Sequence, residues 1–141
     1  METRLVLCDT DIWIEYFRKN IPVIQQLDEI GIQNLYASVI TKAELQQWAN
    51  NKEKLLRINK TLDKIPFIDI ELHISQRFSN LFEKYFLEFG SQIPDTIIAA
   101  TAIEYDIELF TLNRKHYKFY SDLKLISHNL KPLPYEPGNR L

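Results

Sequence analysis

The stretch that most constrains the fold is Leu5-Val6-Leu7-Cys8, which runs straight into Asp9-Thr10-Asp11. An apolar run this short, closed at once by a polar turn, predicts a buried strand of a parallel sheet. The helical spacing that follows, Ile12, Trp13, Tyr16 and Phe17, predicts a strand leading directly into a helix. In open α/β sheets ligands bind just beyond the carboxyl ends of the strands. Asp9 stands at such an end, with Thr10 or Asp11 opening the helix.

The same alternation continues along the chain. Glu15 and Lys19 are placed to form an i,i+4 pair on the outer side of the first helix, and Asn20 closes it. Pro22 opens a second helix that stops at Gly31. Residues 34–37 read as a strand, and Ser38 is placed to cap a helix carrying Ile40, Ala43, Glu44, Leu45 and Trp48. Residues 52–65 form another helix, 67–70 a third strand, and 71–89 a long helix closed by Gly90. An alanine-rich helix over 94–105 precedes a fourth strand over 107–111, and a weak fifth strand falls near 123–126. Strands alternating with helices predict an α/β fold, a three-layer α/β/α sandwich around a mostly parallel sheet of about five strands. Residues 1–128 read as one domain and 129–141 as an irregular tail.

Bulk properties narrow the function. The 141 residues carry a formal net charge of −2, whereas a domain that binds nucleic acid by charge alone is strongly basic. Any nucleic-acid contact here needs a local basic patch, a bound cation, or both. Cys8 is the one cysteine, so no internal disulfide forms. With neither an apolar leader nor a bilayer-spanning run, the expectation is a soluble, cytoplasmic protein with no membrane contact.

Two further acids fall on inward helical stripes. Glu44 lies four residues after Ile40 and four before Trp48; Asp95 precedes Ile98, Ala99 and Ala102. Each has a plain structural reading. Glu44 suits a flank glutamate reaching water, Asp95 an acid at a helix start beside Pro94, and Asp9 a turn acid capping its helix. Together they weigh differently. Carboxylates converging to about 4–5 Å repel by roughly 3–4 kcal/mol per pair at an effective dielectric near 20. Three such pairs approach the roughly 5–15 kcal/mol that stabilises a whole domain. A hard divalent cation reverses that repulsion, and oxygen ligands suit Mg²⁺ or Mn²⁺. His73, His116 and His128 are too scattered for a zinc site and read as surface or satisfied residues.

Four phrases in order then carry a family resemblance: Leu7-Cys8-Asp9-Thr10-Asp11, Ser38 through Leu45, Ile93 through Ala102, and Leu109 through Tyr117. The chain resembles the PIN-domain ribonucleases, and among them the VapC-type toxins of toxin–antitoxin pairs. The resemblance implies a metal-dependent endoribonuclease acting on single-stranded or loop RNA and leaving 5′-phosphate and 3′-hydroxyl ends. It places metal-binding and catalytic acids at Asp9, Glu44 and Asp95, with Thr111 as the hydroxyl that orders the site. Asn113 matches a position acidic in many members and adds no charge. Asp11 stands where Asn or Ser is frequent and adds an oxygen or merely a first-turn acid. His116 replaces a frequent Asp and receives no catalytic role. A small antitoxin partner and a homodimer are implied in the same way.

The substrate's phosphates need positive charge, and Arg114, Lys115 and Lys118 follow the fourth strand. Tyr117, Phe119 and Tyr120 interleave with them, either as base-stacking surfaces or as rings folded into the core. The lysines and arginine of the 52–64 helix read as its solvent face. Two other functions compete. A PIN-like module that binds RNA or protein with little turnover is suggested by the neutral Asn113. A haloacid-dehalogenase-type phosphatase, with Asp9 as nucleophile and Thr111 in its second motif, lacks the downstream chain length for its remaining residues.

Overall fold

Three consecutive buried residues, Val6–Cys8, form β1. In the structure, a computed structural model that describes residues 4–134, this strand lies inside a four-stranded sheet of order β3-β2-β1-β4. The strands are β2 (Leu35–Ser38), β3 (Phe67–Ile68) and β4 (Glu108–Phe110), and every pairing is parallel. Register runs Val6 to Leu35 on one side and Val6 to Glu108 on the other. The Asp9 N–H extends the second ladder by donating to Phe110 O at 2.9 Å. The expected fifth strand reduces to one parallel bridge between Leu109 and Leu125. β3 is shorter than expected, because the chain turns at once, with the Glu71 N–H donating to Asp69 O.

Side chains alternate along β1, and this alternation separates the two helical layers. Val6 and Cys8 face a core built with Ile12, Trp13, Val23, Leu27, Leu45, Ile58 and Leu62. Those residues come from α1 (Thr10–Phe17), α2 (Ile21–Ile30), α3 (Val39–Gln46) and α4 (Lys52–Leu62). Leu7 faces the opposite core with Ile74, Leu81, Ile98, Ala99, Ala102 and Leu109, supplied by α5 (Leu72–Phe89), α6 (Ile93–Glu104) and β4. Alanines on α6 admit close approach to the sheet and to α5. Gly90 closes α5 in the left-handed conformation, φ 63°, which glycine adopts without steric cost. Among the described residues, no helix is long and apolar enough to cross a membrane.

One expected pair does not form. α1 ends at Phe17 and Lys19 turns out of it with φ 61°, so Glu15 and Lys19 never share a helical face. Glu15 is instead buried, 2% exposed. It accepts from Arg18 Nη1 at 2.8 Å, Asn20 Nδ2 at 2.8 Å and the Leu133 N–H at 2.6 Å. Arg18 also donates to Leu133 O and Pro134 O, and Asn20 to Lys131 O. Residues 129–134 have no helix or strand, yet this knot fastens them across α1. The rest of the expected tail, 135–141, lies outside the described residues.

Removing one partner of a buried, hydrogen-bonded ion pair costs about 3–5 kcal/mol. Glu15→Ala is therefore expected to lower unfolding stability by about that amount in urea denaturation. A loss below about 1 kcal/mol, the scale of an exposed pair, would show that the knot is not a structural element.

Candidate active site

The acids gather where β1 and β2 end and α6 begins. Asp9 follows β1 in extended conformation and caps α1, its Oδ1 accepting the Thr10 N–H at 2.8 Å. The capping role foreseen for a turn acid thus uses one oxygen. Oδ2 accepts from Thr111 Oγ1 at 2.8 Å, just beyond β4. Asp11 Oδ2 accepts from the Leu112 N–H at 3.0 Å and lies 3.3 Å from the same threonine hydroxyl. Its Oδ1 is buried without a partner.

Glu44 reaches the site from α3 and is half-buried. Its Oε1 accepts from Thr10 Oγ1 at 2.7 Å. A carboxylate can only accept, so Thr10 spends its proton there and itself accepts from Thr41 Oγ1 at 3.0 Å. The stripe that bears Glu44 is more open than its apolar spacing suggests, with Ala43 exposed and Trp48 36% exposed. Asp95 sits in the first turn of α6, after Pro94. Its Oδ1 accepts from the Tyr117 hydroxyl at 3.2 Å, and its Oδ2 lies 3.0 Å from His116 Nδ1. Tyr117 is fully buried and its hydroxyl also reaches Asp9, so one phenol lies between two acids.

Burial dominates the electrostatics. It pushes the Asp9 carboxyl up to about 6, with the charge of Asp95 adding and the bonds from Thr111 and Thr10 opposing. Burial, then the charge of Asp9, raises Asp11. Burial, then Asp95, raises Glu44 against its bond from Thr10. Tyr117 is raised by burial and by Asp9 and Asp95, which keeps it a neutral donor. Cys8 is raised by burial and is an inert thiol.

Asp9, Glu44 and Asp95 therefore share one field, linked through Thr10 and Tyr117. Among the described residues, no three acids or histidines close into a ready metal cage; each carboxylate is held by hydroxyl or N–H donors instead. Nor does a lysine or arginine of the described residues ion-pair with Asp9, Asp11, Glu44 or Asp95. The His116 ring lies beside Asp95 and none of the other three. An all-oxygen donor set with uncompensated buried charge fits a hard divalent cation.

The surrounding residues divide. Thr111 touches Asp9 and Asp11 as described. Asn113 is exposed, with its N–H donating to Thr111 Oγ1 at 3.0 Å and its amide 3.0 Å from His116 Nδ1. Arg114 is exposed but ties one nitrogen to Ile126 O at 3.0 Å. Lys118 is exposed, and Lys115 lines a cleft with Asp95 and His116. Tyr117 and Tyr120 are buried, 0% and 2% exposed, which removes them as base-stacking surfaces; Phe119 is only partly buried.

Thr10, Thr41, Tyr117, His116 and His128 are the residues that sequence reasoning did not single out for the site. Thr10 had a signal, lying between two acids at a helix start, and Thr41 one turn before Glu44. His128 had none: its Nε2 lies 2.7 Å from Thr111 O while its Nδ1 accepts the Leu130 N–H at 3.0 Å. That fixes the proton on Nε2 and anchors the backbone of Thr111 from seventeen residues away.

A family model described as PIN domain matches residues 6–121. Ribonuclease VapC1 of Methanocaldococcus jannaschii is 33% identical over 121 residues, which span 83% of this chain and 82% of that protein. A toxin-antitoxin complex from Klebsiella pneumoniae has a chain that superposes with a TM-score of 0.73 at 28% identity, covering 86% of this chain and 96% of that one. VapBC2 from Rickettsia felis, bound to a DNA fragment from their promoter, superposes with a TM-score of 0.75 over 89% of this chain and 99% of that one. At 22% identity this last likeness speaks for the fold alone.

The raised acids give the cation-free protein a definite pH response. Asp9 moves from an ordinary 3.8 to about 6, so the folded state holds this proton more tightly than the unfolded chain. Its stabilising contribution is complete below about pH 4 and is lost as pH rises through about 6. At about 1.4 kcal/mol per unit, the loss is on the order of 3 kcal/mol, and Asp11 and Glu44 act in the same direction. Urea unfolding in chelator is expected to show lower stability near pH 7.5 than near pH 5, with Mg²⁺ or Mn²⁺ restoring it at the higher pH by mass action. Asp9→Asn is expected to flatten both responses. Stability that rises with pH in chelator would contradict the assignment of uncompensated charge.

Proposed function

The chain belongs to the PIN-domain family, of VapC type, and from its acid site we propose that it is a metal-dependent endoribonuclease, the toxin of a toxin–antitoxin pair. The observation that carries this reading is the set of carboxylates from β1, α3 and α6 that sense one another and have no lysine or arginine of the described chain to neutralise them. The family assignment sets aside the dehalogenase-type phosphatase.

Asp9, Glu44 and Asp95 would hold the cation, Mg²⁺ or Mn²⁺, with Asp11 contributing its unpartnered Oδ1. When bound, a divalent cation supplies Lewis-acid charge that offsets the phosphate's and makes water a nucleophile at neutral pH. The chain's own residues do the rest. One of these carboxylates would also take the proton from the attacking water. The Thr10 N–H and the Thr111 hydroxyl fix the oxygens of Asp9, so it meets the substrate with little reorganisation. Tyr117 donates to Asp95 from within the core. Arg114, Lys115 and Lys118, all exposed beyond β4, face an RNA strand's phosphates, Arg114 with the donors not tied to Ile126.

The partner in this reading is a small antitoxin. An apolar cleft among α1, α2 and α4, lined by Trp13, Tyr16, Leu27, Ile32 and Ile65, suits one face of an amphipathic helix. Pairing of two copies into a homodimer belongs to the same proposal. Asn113, exposed and uncharged, leaves the fourth family position without a carboxylate. That favours a weakly active binding module as the second reading.

One assay separates the two: purified protein with structured and single-stranded RNAs in Mg²⁺, Mn²⁺ or EDTA, beside Asp9→Asn. Cleavage is expected with either cation, to vanish with chelator, and to fall about 10²-fold or more in the variant, the scale of losing a positioned acid–base group. RNA binding without cation-dependent cleavage would favour the module. Equal cleavage by wild type and variant would overturn the assignment of Asp9.

A further inference from the structure

Beside Asp95 an open cleft of about 90 Å³ is lined by Phe89, Gly90, Ser91, Gln92, Lys115 and Phe119, together with Asp95 and His116. Its wall is aromatic and ordered. The rings of Phe89 and Phe119 lie parallel within 3°, centroids 4.5 Å apart. Phe119 is backed in turn by Tyr85 at 5.6 Å and Tyr120 at 4.3 Å. Tyr120 is buried and its hydroxyl is held at 2.8 Å from Thr96 Oγ1, so the inner ring rests on a fixed support. Phe89 ends the stack and leaves 46% of its surface to solvent. Lys115 and Gln92 supply a cation and an amide at the rim, both exposed.

We propose that this cleft is a nucleobase subsite, in which Phe89, backed by Phe119, stacks the base of the nucleotide next to the scissile phosphate while Lys115 meets a flanking phosphate. The inference rests on the ribonuclease reading and adds to it a subsite that seats the strand beside the acids. Three features favour a base as occupant. An exposed flat ring on a rigid aromatic support pre-pays the ordering cost of a stack. Base–aromatic stacking tolerates any base because each has a π-face. The cleft also shares Asp95 with the acid site, so a strand whose phosphate lies among the acids brings a neighbouring base over Phe89. The apolar residues farther along α5 and at the start of α6, Leu87 at 91% and Ile93 at 56% exposed, lie outside the cleft lining; a second copy of the chain would use those.

The test uses the intact protein with Mn²⁺ and a fluorescent single-stranded oligoribonucleotide whose cleavage position has been mapped with wild type. Variants of this RNA carry one abasic nucleotide at each position flanking the cut. Phe89→Ala is expected to lower kcat/KM by about 5- to 150-fold, the size of one base–aromatic stack. Phe89→Trp should retain it, and Leu72→Ala, at an exposed residue far along α5 from the cleft, should leave it unchanged. In wild type one abasic position is expected to cost the same factor, and in Phe89→Ala that position should cost nothing further. Unchanged cleavage in Phe89→Ala, or equal abasic penalties in both proteins, would overturn the subsite while leaving the nuclease reading intact. A loss in Phe89→Ala that accompanies a halved mass in light scattering, with the abasic penalty unaltered, would assign the patch to an interface between copies and overturn the subsite as well. Absence of any cation-dependent cleavage by wild type would overturn the nuclease reading, and the subsite with it.

Discussion

Burying a carboxylate at the end of the central strand costs free energy unless something compensates the charge, and Asp9 is where this fold accepts that cost. Its oxygens accept from the Thr10 N–H and the Thr111 hydroxyl, and the buried Tyr117 hydroxyl also reaches it. Those bonds fix the direction of the carboxylate but leave it raised to about 6. Neutral donors reduce the desolvation penalty without removing it. The charged neighbour is another acid, and Asp95 raises Asp9 further. A site of this kind is stabilised in its charged form by a cation from outside the chain. The Asp9–Thr111 bond is itself supported from a distance, through His128 gripping the Thr111 carbonyl.

The sandwich brings the other acids to the same place by ordinary means. Parallel strands put their carboxyl ends on one edge, so β1 and β4 deliver Asp9 and Thr111 side by side through the pairing of Cys8 with Phe110. The capped start of α3 follows β2 directly and carries Thr41 and Glu44 toward Thr10. α6 packs by its alanines and so brings its first turn, with Asp95, near the same edge. The basic segment after β4 then wraps beside Asp95, burying Tyr117 and Tyr120 beneath it while Lys115 and Lys118 stay exposed. Acid and base thus occupy adjoining parts of one face, an arrangement in which a phosphate chain and a cation stabilise each other. This explains how a chain with a net charge of −2 is suited to a polyanion.

Much of this was legible from residue patterns. The strand ending in Asp9, the cap at Ser38 and the αL stop at Gly90 are local features, set by burial periodicity and by the conformational freedom of one residue. Asp9 stood out at the end of a strand, Glu44 and Asp95 on inward helical stripes, and the family resemblance joined the three. What the pattern could not carry is long-range partnership. Tyr117 among basic residues gave no sign that it turns inward to touch two carboxylates. His128 and Thr111 are linked by a backbone carbonyl that any residue would present. Glu15, read as a solvent-facing acid paired with Lys19, is buried because α1 stops one residue before Arg18 and the segment after His128 returns over it. A helix wheel contains no information about a chain that comes back more than a hundred residues later. The thin fifth strand is a similar case: only Leu125 forms a bridge, with the Leu109 N–H donating to Lys124 O and the Ile126 N–H donating to Leu109 O.

The central claim is that Asp9, Glu44 and Asp95 form one carboxylate site that an external divalent cation completes. Anomalous diffraction from crystals soaked in Mn²⁺ tests it directly. The account predicts a manganese peak in contact with the carboxylates of Asp9 and Asp95 that disappears in Asp9→Asn crystals. A peak that persists in that variant, or ordered manganese only at sites away from these three side chains, would contradict it.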